Sequence, residues 1–520
     1  MGFTDHLNVS YLIKREGLDL DKKAIVFEGE SLTYKELKER SMRFANGLYD
    51  LGVRKGDRVV VLTKNCLEFW EINFAIYETG AIVVPLNSRL SPQEITHLIK
   101  HAEPKVIVFG EDHIDHIKCC LNEYRDAILV HLGKREVNDL PYKKYDSILA
   151  GAHSEPLNIP VDANDPAEII YTSGTTGFPK GAVWTHGTIL WNSIQQSLDY
   201  NITSEDSVYV LLGLNYIGGR HEFTMSVFHQ GGTVHIRRMG DYEINETVDY
   251  IEKHKISLIL LVPIMLHDMH QRSGSLNEKL KSLKMIMCGG APVPVPLIEK
   301  TMEVCPHVDV IQVYGSTEAG GTVSALKKKD SIRKIGSCGK PTLHNLIAIV
   351  DENGQPVLPG QPGEIAVKGP AVIKEYWNNS EATQNALKNG WYYTGDIGRM
   401  DEENFLFIVG RKKDMIISGG MNIYPEEIEL TLRKHPSIND CAIIGVPDER
   451  WGESIMAIVQ PIDNAEISEQ ELIDYCRTNL GSYKKPKYVN FVSTLPRTQS
   501  GKIQKFILRE SYSSNQTLIK

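Results

Sequence analysis

Short apolar segments rich in β-branched residues alternate with helical patterns along the first 110 residues, and this alternation restricts the fold more than any other feature of the sequence. A Ser/Thr-x-x-Glu capping box, formed by Thr33 and Glu36, precedes one of the intervening helical patterns. Strands separated by helices form a parallel sheet with helices on its faces, so the pattern predicts an α/β fold. The predicted strands are AIVFEG (24–29), RVVVL (58–62), AIVVPL (81–86) and PKVIVF (104–109).

The same alternation resumes further along the chain, in SVYVLL, TVHI, SLILLVP, KMIMCGG and VDVIQVYG, and predicts a second α/β sheet. From about 336 the character changes, because turn-rich stretches such as DENGQPVLPGQPG separate short alternating runs. The residues after Arg411 show a mixed α+β pattern. We therefore predict a large N-terminal domain over 1–410, with 336–410 as its β-rich subdomain, and a small α+β C-terminal domain over 411–520.

The charge and the cysteines restrict the partners and the compartment. The 520-residue chain carries a formal net charge of −9, which gives it no overall attraction to nucleic acid or to anionic membranes. No apolar run reaches the roughly 18 residues that a membrane-spanning helix needs. The eight cysteines are dispersed, and the N-terminal segment lacks the apolar core of a secretory signal. We predict a cytoplasmic protein with no nucleic-acid partner and no integral membrane association, and a homodimer stays open.

The segment YTSGTTGFPKGA (171–182) combines three glycines, three threonines, a serine and a lysine. Glycines let backbone N–H groups turn toward an anion, hydroxyl groups donate hydrogen bonds, and lysine supplies a positive charge. The segment is not a Walker A loop, because Pro179 and Gly181 stand where that motif has glycine and Ser/Thr. The residues predict a phosphate-binding loop with Mg²⁺ held elsewhere, and the alternative is a Gly/Thr turn with a surface lysine.

This loop and five further segments resemble the motifs of the adenylate-forming (AMP-binding) superfamily, in its acyl-CoA synthetase branch. The resemblance runs in the family's order from the first capped helix to residue 505. It implies two steps: a carboxylate attacks the α-phosphate of ATP and releases pyrophosphate, and a thiol then displaces AMP. The five further segments are VYGSTEA (313–319), GWYYTGDIG (390–398), GRKKDMIISGGMNIYPEEIE (410–429), VPDERWGE (446–453) and LPRTQSGKIQK (495–505).

By this resemblance, the 171–182 loop and the VYGSTEA segment bind the phosphates. Thr317 reaches the α-phosphate, and Glu318 holds Mg²⁺, for which a carboxylate is a suitable ligand. Asp396 and Arg411 bind the ribose hydroxyl groups. The loop residues assigned to the phosphates are Thr172, Ser173, Gly174, Thr175, Thr176 and Lys180. The residues assigned to adenine, and to the wall between adenine and the acyl group, are Tyr314, Gly315, Gly290 and Ala291.

Lys502, in the PRTQSGK segment, matches the family's catalytic lysine, which bridges oxygens of the carboxylate and the α-phosphate during adenylation. With Thr317 and Glu318 it completes the predicted catalytic set, and the alternative is a solvated surface lysine. Because Lys502 lies in the predicted C-terminal domain, catalysis implies that this domain is mobile. Lys413 matches the family's hinge position, and Gly420 matches the glycine beside the coenzyme A channel.

The segment GLNYIGGRHEF (213–223) matches the acyl pocket, where this chain departs from the family pattern. Tyr216 stands at the usual histidine position, and Asn215 precedes it. One hypothesis is that Arg220 recognises a second polar or anionic group on the acid, since its guanidinium suits a carboxylate. The alternative is that Arg220 faces solvent or pairs with a nearby acidic residue.

We therefore predict an AMP-forming carboxylic acid–CoA ligase that uses ATP, Mg²⁺ and coenzyme A. Its small-molecule acid is unknown and is aliphatic, as in fatty acid metabolism, aromatic or dicarboxylic. The alternative enzyme loads the acyl group onto a carrier protein, although no carrier domain is recognisable in the chain. A third hypothesis, an inactive binding protein, is opposed by the presence of Lys180, Glu318 and Lys502.

Overall fold

The structure is a computed structural model that describes residues 7–121, 123–172, 179–240, 243–271, 276–290, 293–418, 421–448, 450–463, 465–480, 484–497 and 503–513. The chain divides into two compact units. The first comprises Met1–Ile347 and Val367–Tyr392, and the second comprises Ala348–Ala366 and Tyr393–Lys520.

The described strands share the short lengths that the sequence predicts. In chain order they are β1 (Lys23–Phe27), β2 (Glu30–Thr33), β3 (Arg58–Leu62), β4 (Ile82–Pro85), β5 (Val106–Gly110), β6 (Ile128–Leu132), β7 (Tyr142–Lys144), β8 (Pro166–Thr172), β9 (Lys180–Thr185), β10 (Ser207–Val210), β11 (Thr233–Ile236), β12 (Leu258–Leu261), β13 (Met285–Cys288), β14 (Asp309–Ser316), β15 (Gly321–Leu326), β16 (Lys340–Pro341), β17 (Leu346–Val350), β18 (Gly363–Lys368), β19 (Glu375–Tyr376), β20 (Leu387–Lys388), β21 (Trp391–Met400), β22 (Leu406–Arg411), β23 (Ile416–Ser418), β24 (Met421–Ile423), β25 (Ile438–Asp448), β26 (Gly452–Pro461) and β27 (Tyr488–Phe491).

The helices begin at recognisable caps where the sequence provides them. The capping box of Thr33 and Glu36 is present at the start of α1, and a second one, of Ser91 and Glu94, starts α3. The described helices are α1 (Tyr34–Asp50), α2 (Phe69–Glu78), α3 (Pro92–Ala102), α4 (Ile114–Cys120), α5 (Tyr145–Gly151), α6 (His186–Asp199), α7 (Ile217–Arg220), α8 (Thr224–Gln230), α9 (Ile244–His254), α10 (Pro263–Gln271), α11 (Leu276–Lys279), α12 (Val295–Val304), α13 (Lys328–Ser331), α14 (Ser380–Ala386), α15 (Pro425–Leu432), α16 (Glu469–Asn479) and α17 (Lys505–Ser513).

Two large sheets in the first unit confirm the predicted α/β fold. One sheet has the order β19-β9-β8-β4-β3-β5-β6-β7, and the other has the order β16-β15-β14-β13-β12-β10-β11-β1-β2. The first sheet is antiparallel at β19-β9-β8 and parallel from β8 to its other edge at β7. The second sheet is parallel in its interior and antiparallel at both edges, as in the pairs β14–β15 and β1–β2. The strand predicted at 24–29 belongs to the second sheet, because β1 pairs in parallel with β11, more than 200 residues further along.

The remaining two sheets are smaller. Strands β17, β18, β21 and β20 form a sheet in that order, with β22 paired to β21, in the region predicted to be β-rich. Strands β24, β23, β26 and β25 form the other, with β27 paired to β26 and with α15, α16 and α17 nearby in the chain. This confirms the mixed α+β pattern near the C-terminus. Residues 348–366 and 393–410 group with the second unit, so the domain boundary at 411 stays a prediction.

Large aromatic side chains fill the core of the first unit, where Trp70, Phe74 and Trp184 are fully buried. Within the described part of the chain, no helix combines the length and the apolar character that spanning a membrane requires.

Candidate functional site

The predicted phosphate loop connects the two strands of the β8–β9 hairpin, after Thr172 and before Lys180. The two strands pair in a regular antiparallel register from Glu168 opposite Trp184 to Thr172 opposite Lys180. Because strand side chains alternate, Glu168, Thr172 and Trp184 point to one face of this hairpin. Of the predicted phosphate-binding residues, Ser173, Gly174, Thr175 and Thr176 lie outside the described residues.

Thr172 meets the segment that was predicted to hold Mg²⁺. Its hydroxyl donates a hydrogen bond to Glu318 Oε1 at 2.9 Å, although 146 positions separate the two residues. The Tyr376 hydroxyl donates to the same oxygen at 3.2 Å. Lys180 Nζ lies 5.4 Å from the centroid of the Tyr376 ring. The hairpin, Glu318 and Tyr376 therefore form one polar cluster within the first unit.

The carboxylate of Glu318 shapes the electrostatics of its neighbours. Burial raises the pKa of Tyr376, and Glu318 raises it further. Burial likewise raises the pKa of Tyr392, again with Glu318 as the next cause. Both phenols are therefore uncharged near neutral pH. A half-buried carboxylate beside hydroxyl groups has the ligand chemistry that a hard divalent cation prefers.

The glycines predicted to bind the nucleotide, Gly290 and Gly315, lie where a side chain would not fit or would be strained. A Cβ on Gly315 would lie 1.9 Å from the carbonyl oxygen of Gly321, so the backbone of β14 can approach β15 here only with glycine. Gly290 follows β13 with φ at +81°, a left-handed conformation that favours glycine. Tyr314 lies on β14 opposite Ser324. Ala291 lies outside the described residues.

In the second unit, the two predicted ribose-binding residues contact each other. Asp396 on β21 and Arg411 on β22 are register partners, and Arg411 Nε lies 2.6 Å from Asp396 Oδ1. Lys413 lies in a short 3-10 helix, and burial lowers its pKa. The predicted catalytic Lys502 and the predicted channel residue Gly420 lie outside the described residues.

The predicted acyl-pocket segment is anchored at its start. Asn215 is buried, and the Tyr216 hydroxyl accepts a hydrogen bond from Asn87 Nδ2 at 2.7 Å. Burial raises the pKa of Tyr216. Tyr216 is also the N-cap of α7, and its carbonyl oxygen accepts from the backbone N–H of Arg220 at 2.9 Å. The position of Tyr216 is therefore coupled to the residues at the other end of α7.

Arg220 forms a buried ion pair within the protein. Its side chain is fully buried, and its Nε and Nη2 donate to Glu168 Oε1 at 2.8 and 2.6 Å. Nη2 also donates to Asn73 and to the hydroxyl of Tyr77. His221 Nε2 contacts the other oxygen, Glu168 Oε2, at 2.8 Å. The structure thus corrects the hypothesis that Arg220 recognises the acid and favours the alternative, pairing with an acidic residue.

The charges in this cluster are fixed by the partners. Burial acts to raise the pKa of Glu168, but the neighbouring Arg220 and His221 outweigh it and hold the pKa well below its usual range. Burial lowers the pKa of His221 despite the carboxylate beside it. We therefore assign Glu168 as a carboxylate and His221 as a neutral imidazole that donates its Nε2–H.

Sequence reasoning missed Glu168, Trp184 and Tyr376. A signal for the first was present, because Glu168 is the charged residue in the apolar strand AEII. A charge in such a strand requires a buried partner. Trp184 and Tyr376 gave no such signal, since an aromatic residue in a strand is ordinary core material.

Comparison with known proteins adds to this geometry. The chain matches the family model described as AMP-binding enzyme over residues 16–377 and the one described as AMP-binding enzyme C-terminal domain over residues 427–502. It is 35% identical over 503 residues to a feruloyl-CoA synthase of an Amycolatopsis species, covering 97% of this chain and 98% of that protein. It is also 35% identical over 502 residues to the indoleacetate–CoA ligase of Aromatoleum aromaticum, covering 96% and 97%. The solved structure of ATP-bound MatB from Rhodopseudomonas palustris matches with a TM-score of 0.89 and 29% identity, covering 99% of this chain and 100% of that one.

Proposed function

This chain belongs to the AMP-binding enzyme family and is an AMP-forming acyl-CoA synthetase, and on that premise we propose how its own residues divide the adenylation of a carboxylic acid. The single observation that carries the proposal is the 2.9 Å hydrogen bond from Thr172 to Glu318. It joins the strand before the phosphate loop to the VYGSTEA segment, so groups for the phosphates and for a cation meet at one place.

In the first step, an oxygen of the acid attacks the α-phosphorus of ATP, and the bond to the bridging oxygen breaks with release of pyrophosphate. Negative charge on the phosphates must be stabilised throughout this displacement. We propose that Lys180 and the hydroxyl groups of the loop bind the leaving pyrophosphate, and that Thr317 contacts the α-phosphate. Lys502 is proposed to bridge the acid and the α-phosphate.

Glu318 is the proposed ligand of Mg²⁺. Within the described ranges, no group of three or more His, Cys, Asp or Glu residues could hold a metal. A cation at Glu318 would therefore complete its shell with phosphate and water oxygens, which is the usual mode of Mg²⁺ in nucleotide sites. When bound, Mg²⁺ supplies positive charge to the phosphates. Glu318→Gln is expected to raise the Mg²⁺ concentration needed for half-maximal activity at least ten-fold.

In the second step, the thiol sulfur of coenzyme A attacks the acyl carbonyl carbon, and AMP leaves. We propose that Asp396 and Arg411 hold the ribose through both steps, and that Lys413 and Gly420 serve the passage to the second. The curated relatives are CoA ligases, which favours coenzyme A over a carrier protein as acceptor. The acid is not fixed, and the two relatives at 35% identity make aryl-substituted acids the first candidates.

The test is ATP–pyrophosphate exchange with a panel of ferulic, indoleacetic, hexanoic, palmitic and succinic acids. Exchange with one class, followed by thioester formation on addition of coenzyme A, supports the proposal. Exchange without thioester would instead indicate another acceptor. Silence across the panel, with a relative's activity as positive control, would contradict it. Lys502→Ala is expected to abolish exchange yet still convert supplied acyl-AMP to thioester.

A further inference from the structure

One face of the β8–β9 hairpin contacts both halves of the candidate site. At its loop end, Thr172 donates to Glu318 Oε1. Four residues earlier on the same strand and the same face, Glu168 binds Arg220 and His221 of the acyl-pocket segment. Four residues in a strand span about 13 Å, so the hairpin fixes the distance between the two contacts.

Trp184 closes this arrangement from the partner strand. Its ring stacks on the imidazole of His221, with centroids 4.4 Å apart and planes 18° from parallel. Its indole Nε1–H donates to the carbonyl oxygen of Thr317 at 3.0 Å. The Trp184 side chain therefore contacts both His221 in the acyl-pocket segment and Thr317, the residue before Glu318.

The Glu168 cluster combines a buried ion pair with several further hydrogen bonds. Its Arg220 guanidinium lies 5.2 Å from the centroid of the Trp70 ring, in the interior of the first unit. Replacing a buried ion pair by apolar residues of similar volume is often neutral or stabilising, so a buried pair is weak evidence for a stability role. What the pair does supply is direction, because carboxylate and guanidinium fix each other's orientation through several hydrogen bonds.

We propose that Glu168 is a positioning residue for the acid: through His221 and Arg220 it holds α7, and with it Tyr216, at a fixed distance from the Thr317–Glu318 segment. This inference rests on the proposed function of the same site. A displacement of about 1 Å between reacting groups can cost roughly a hundred-fold in rate, so a rigid link between the acid side and the phosphate side matters for adenylation.

The proposal separates the two substrates. Loss of the His221–Glu168 contact would let α7 shift while Trp184 still contacts Thr317, so the acid side is affected first. His221→Phe keeps an aromatic ring for Trp184 to stack on but removes the Nε2–H that Glu168 accepts. We expect a rise of about ten-fold in the KM for the best acid of the panel, with the KM for ATP changed by less than two-fold.

A matched control is available at Glu71, another fully buried glutamate of the first unit. It accepts hydrogen bonds from Arg40 Nε at 2.5 Å and Nη2 at 2.7 Å and from the Tyr145 hydroxyl, and neither residue belongs to the candidate site. Glu71→Gln is expected to lower the melting temperature while leaving both KM values within two-fold. Glu168→Gln serves as a second variant of the cluster itself.

The experiment compares wild type, His221→Phe, Glu168→Gln and Glu71→Gln by pyrophosphate exchange and by thermal unfolding. A rise in acid KM confined to the His221 and Glu168 variants supports the inference. If Glu168→Gln does not fold, the result for His221→Phe decides. Unchanged acid KM in His221→Phe, equal rises for both substrates, or the same rise in Glu71→Gln would overturn it while wild-type activity upholds the proposed function. A silent wild type overturns both.

Discussion

Two fully buried glutamates of the first unit, Glu71 and Glu168, each bind an arginine, yet their pKa values shift in opposite directions. Glu71 belongs to α2 and binds Arg40, while Glu168 binds Arg220 beside Asn73 and Tyr77 of the same helix. Burial raises the pKa of Glu71 even with Arg40 present. At Glu168 burial acts in the same direction, but Arg220 and His221 reverse it and lower the pKa.

The exposure of the arginine explains the difference. The Arg40 side chain is 36% exposed, so water screens its charge, whereas the Arg220 side chain is 0% exposed. Glu168 also has a second partner, His221, on its other oxygen. Burial of a carboxylate alone therefore does not set its charge state, because the burial of its charged partner matters as much.

The largest expected effect comes from removing the two arginines. Arg220→Met leaves the Glu168 charge buried without its main partner, and we expect a loss of about 3–5 kcal/mol in the free energy of unfolding. Arg40→Met removes a partly exposed partner, and we expect a loss of about 1 kcal/mol. Urea unfolding followed by tryptophan fluorescence measures both. Similar losses would mean that exposure of the arginine does not distinguish the pairs.

A third buried carboxylate, Glu222, differs from Glu71 and Glu168 because it accepts hydrogen bonds from uncharged donors. The backbone N–H and the hydroxyl of Thr322 donate to its two oxygens, each at 3.1 Å, and burial raises the pKa of Glu222 to about 7. A raised folded-state pKa gives stability that is full below the unfolded value near 4.5 and is lost as pH rises through 7.

Glu222→Gln removes that titration. Between pH 4.5 and pH 8 we expect the wild type to lose about 3 kcal/mol more stability than the variant. Melting temperatures at closely spaced pH values check this. Parallel curves for the two proteins would show that Glu222 does not titrate in this range.

A smaller effect is expected from the opposite pH slopes of Glu71 and Glu168. Because the pKa of Glu168 is lowered, its contribution is present above about 4.5 and is lost as pH falls below that value. Because the pKa of Glu71 is raised, its contribution is full below about 4.5 and declines as pH rises. Relative to wild type, Glu168→Gln should gain about 1 kcal/mol at pH 3.5 compared with pH 5.5, and Glu71→Gln should show the opposite trend. Free energies of unfolding relative to wild type that change with pH in the same direction for both variants, measured by urea titration, would contradict this prediction.

The smallest expected effect concerns Trp184, which contacts His221 of the Glu168 cluster and Thr317, the residue proposed to contact the α-phosphate. Trp184→Phe keeps a ring over His221 but loses the N–H that Thr317 accepts. A hydrogen bond of this kind contributes about 1 kcal/mol, so we expect a rise of about five-fold in the KM for ATP and little change in the KM for the acid. Initial rates with each substrate varied in turn provide the measurement, and a rise confined to the acid would contradict the assignment.

The sequence predicted the local and repetitive parts of this molecule. The alternation of strands with helices and the capping box at Thr33 depend on residues close together in the chain, and both are present. The sheet to which a strand belongs is not a local property. The strand at 24–29 was assigned to the wrong sheet because its partner β11 lies more than 200 residues away.

Site residues that belong to a sequence motif could be predicted, whereas residues brought to the site by a tertiary contact could not. The motif residues Thr172 and Glu318 were expected to serve one nucleotide, and their side chains do meet. For Arg220 the sequence left open whether it recognises the acid or pairs with an acidic residue, and its partner Glu168 lies 52 positions earlier in the chain. Two charged residues that pair across different elements leave no periodic pattern in the sequence, so hydrophobic periodicity does not identify the partner.

The four-residue interval from Glu168 to Thr172 has a consequence for redesign of the acid preference. Inserting or deleting one residue there would send one of the two side chains to the opposite face of the sheet. Libraries aimed at new acids can therefore vary Tyr216, whereas the length of β8 must be kept and Gly219 must stay glycine, because a Cβ there would lie 2.6 Å from the carbonyl oxygen of Gly213.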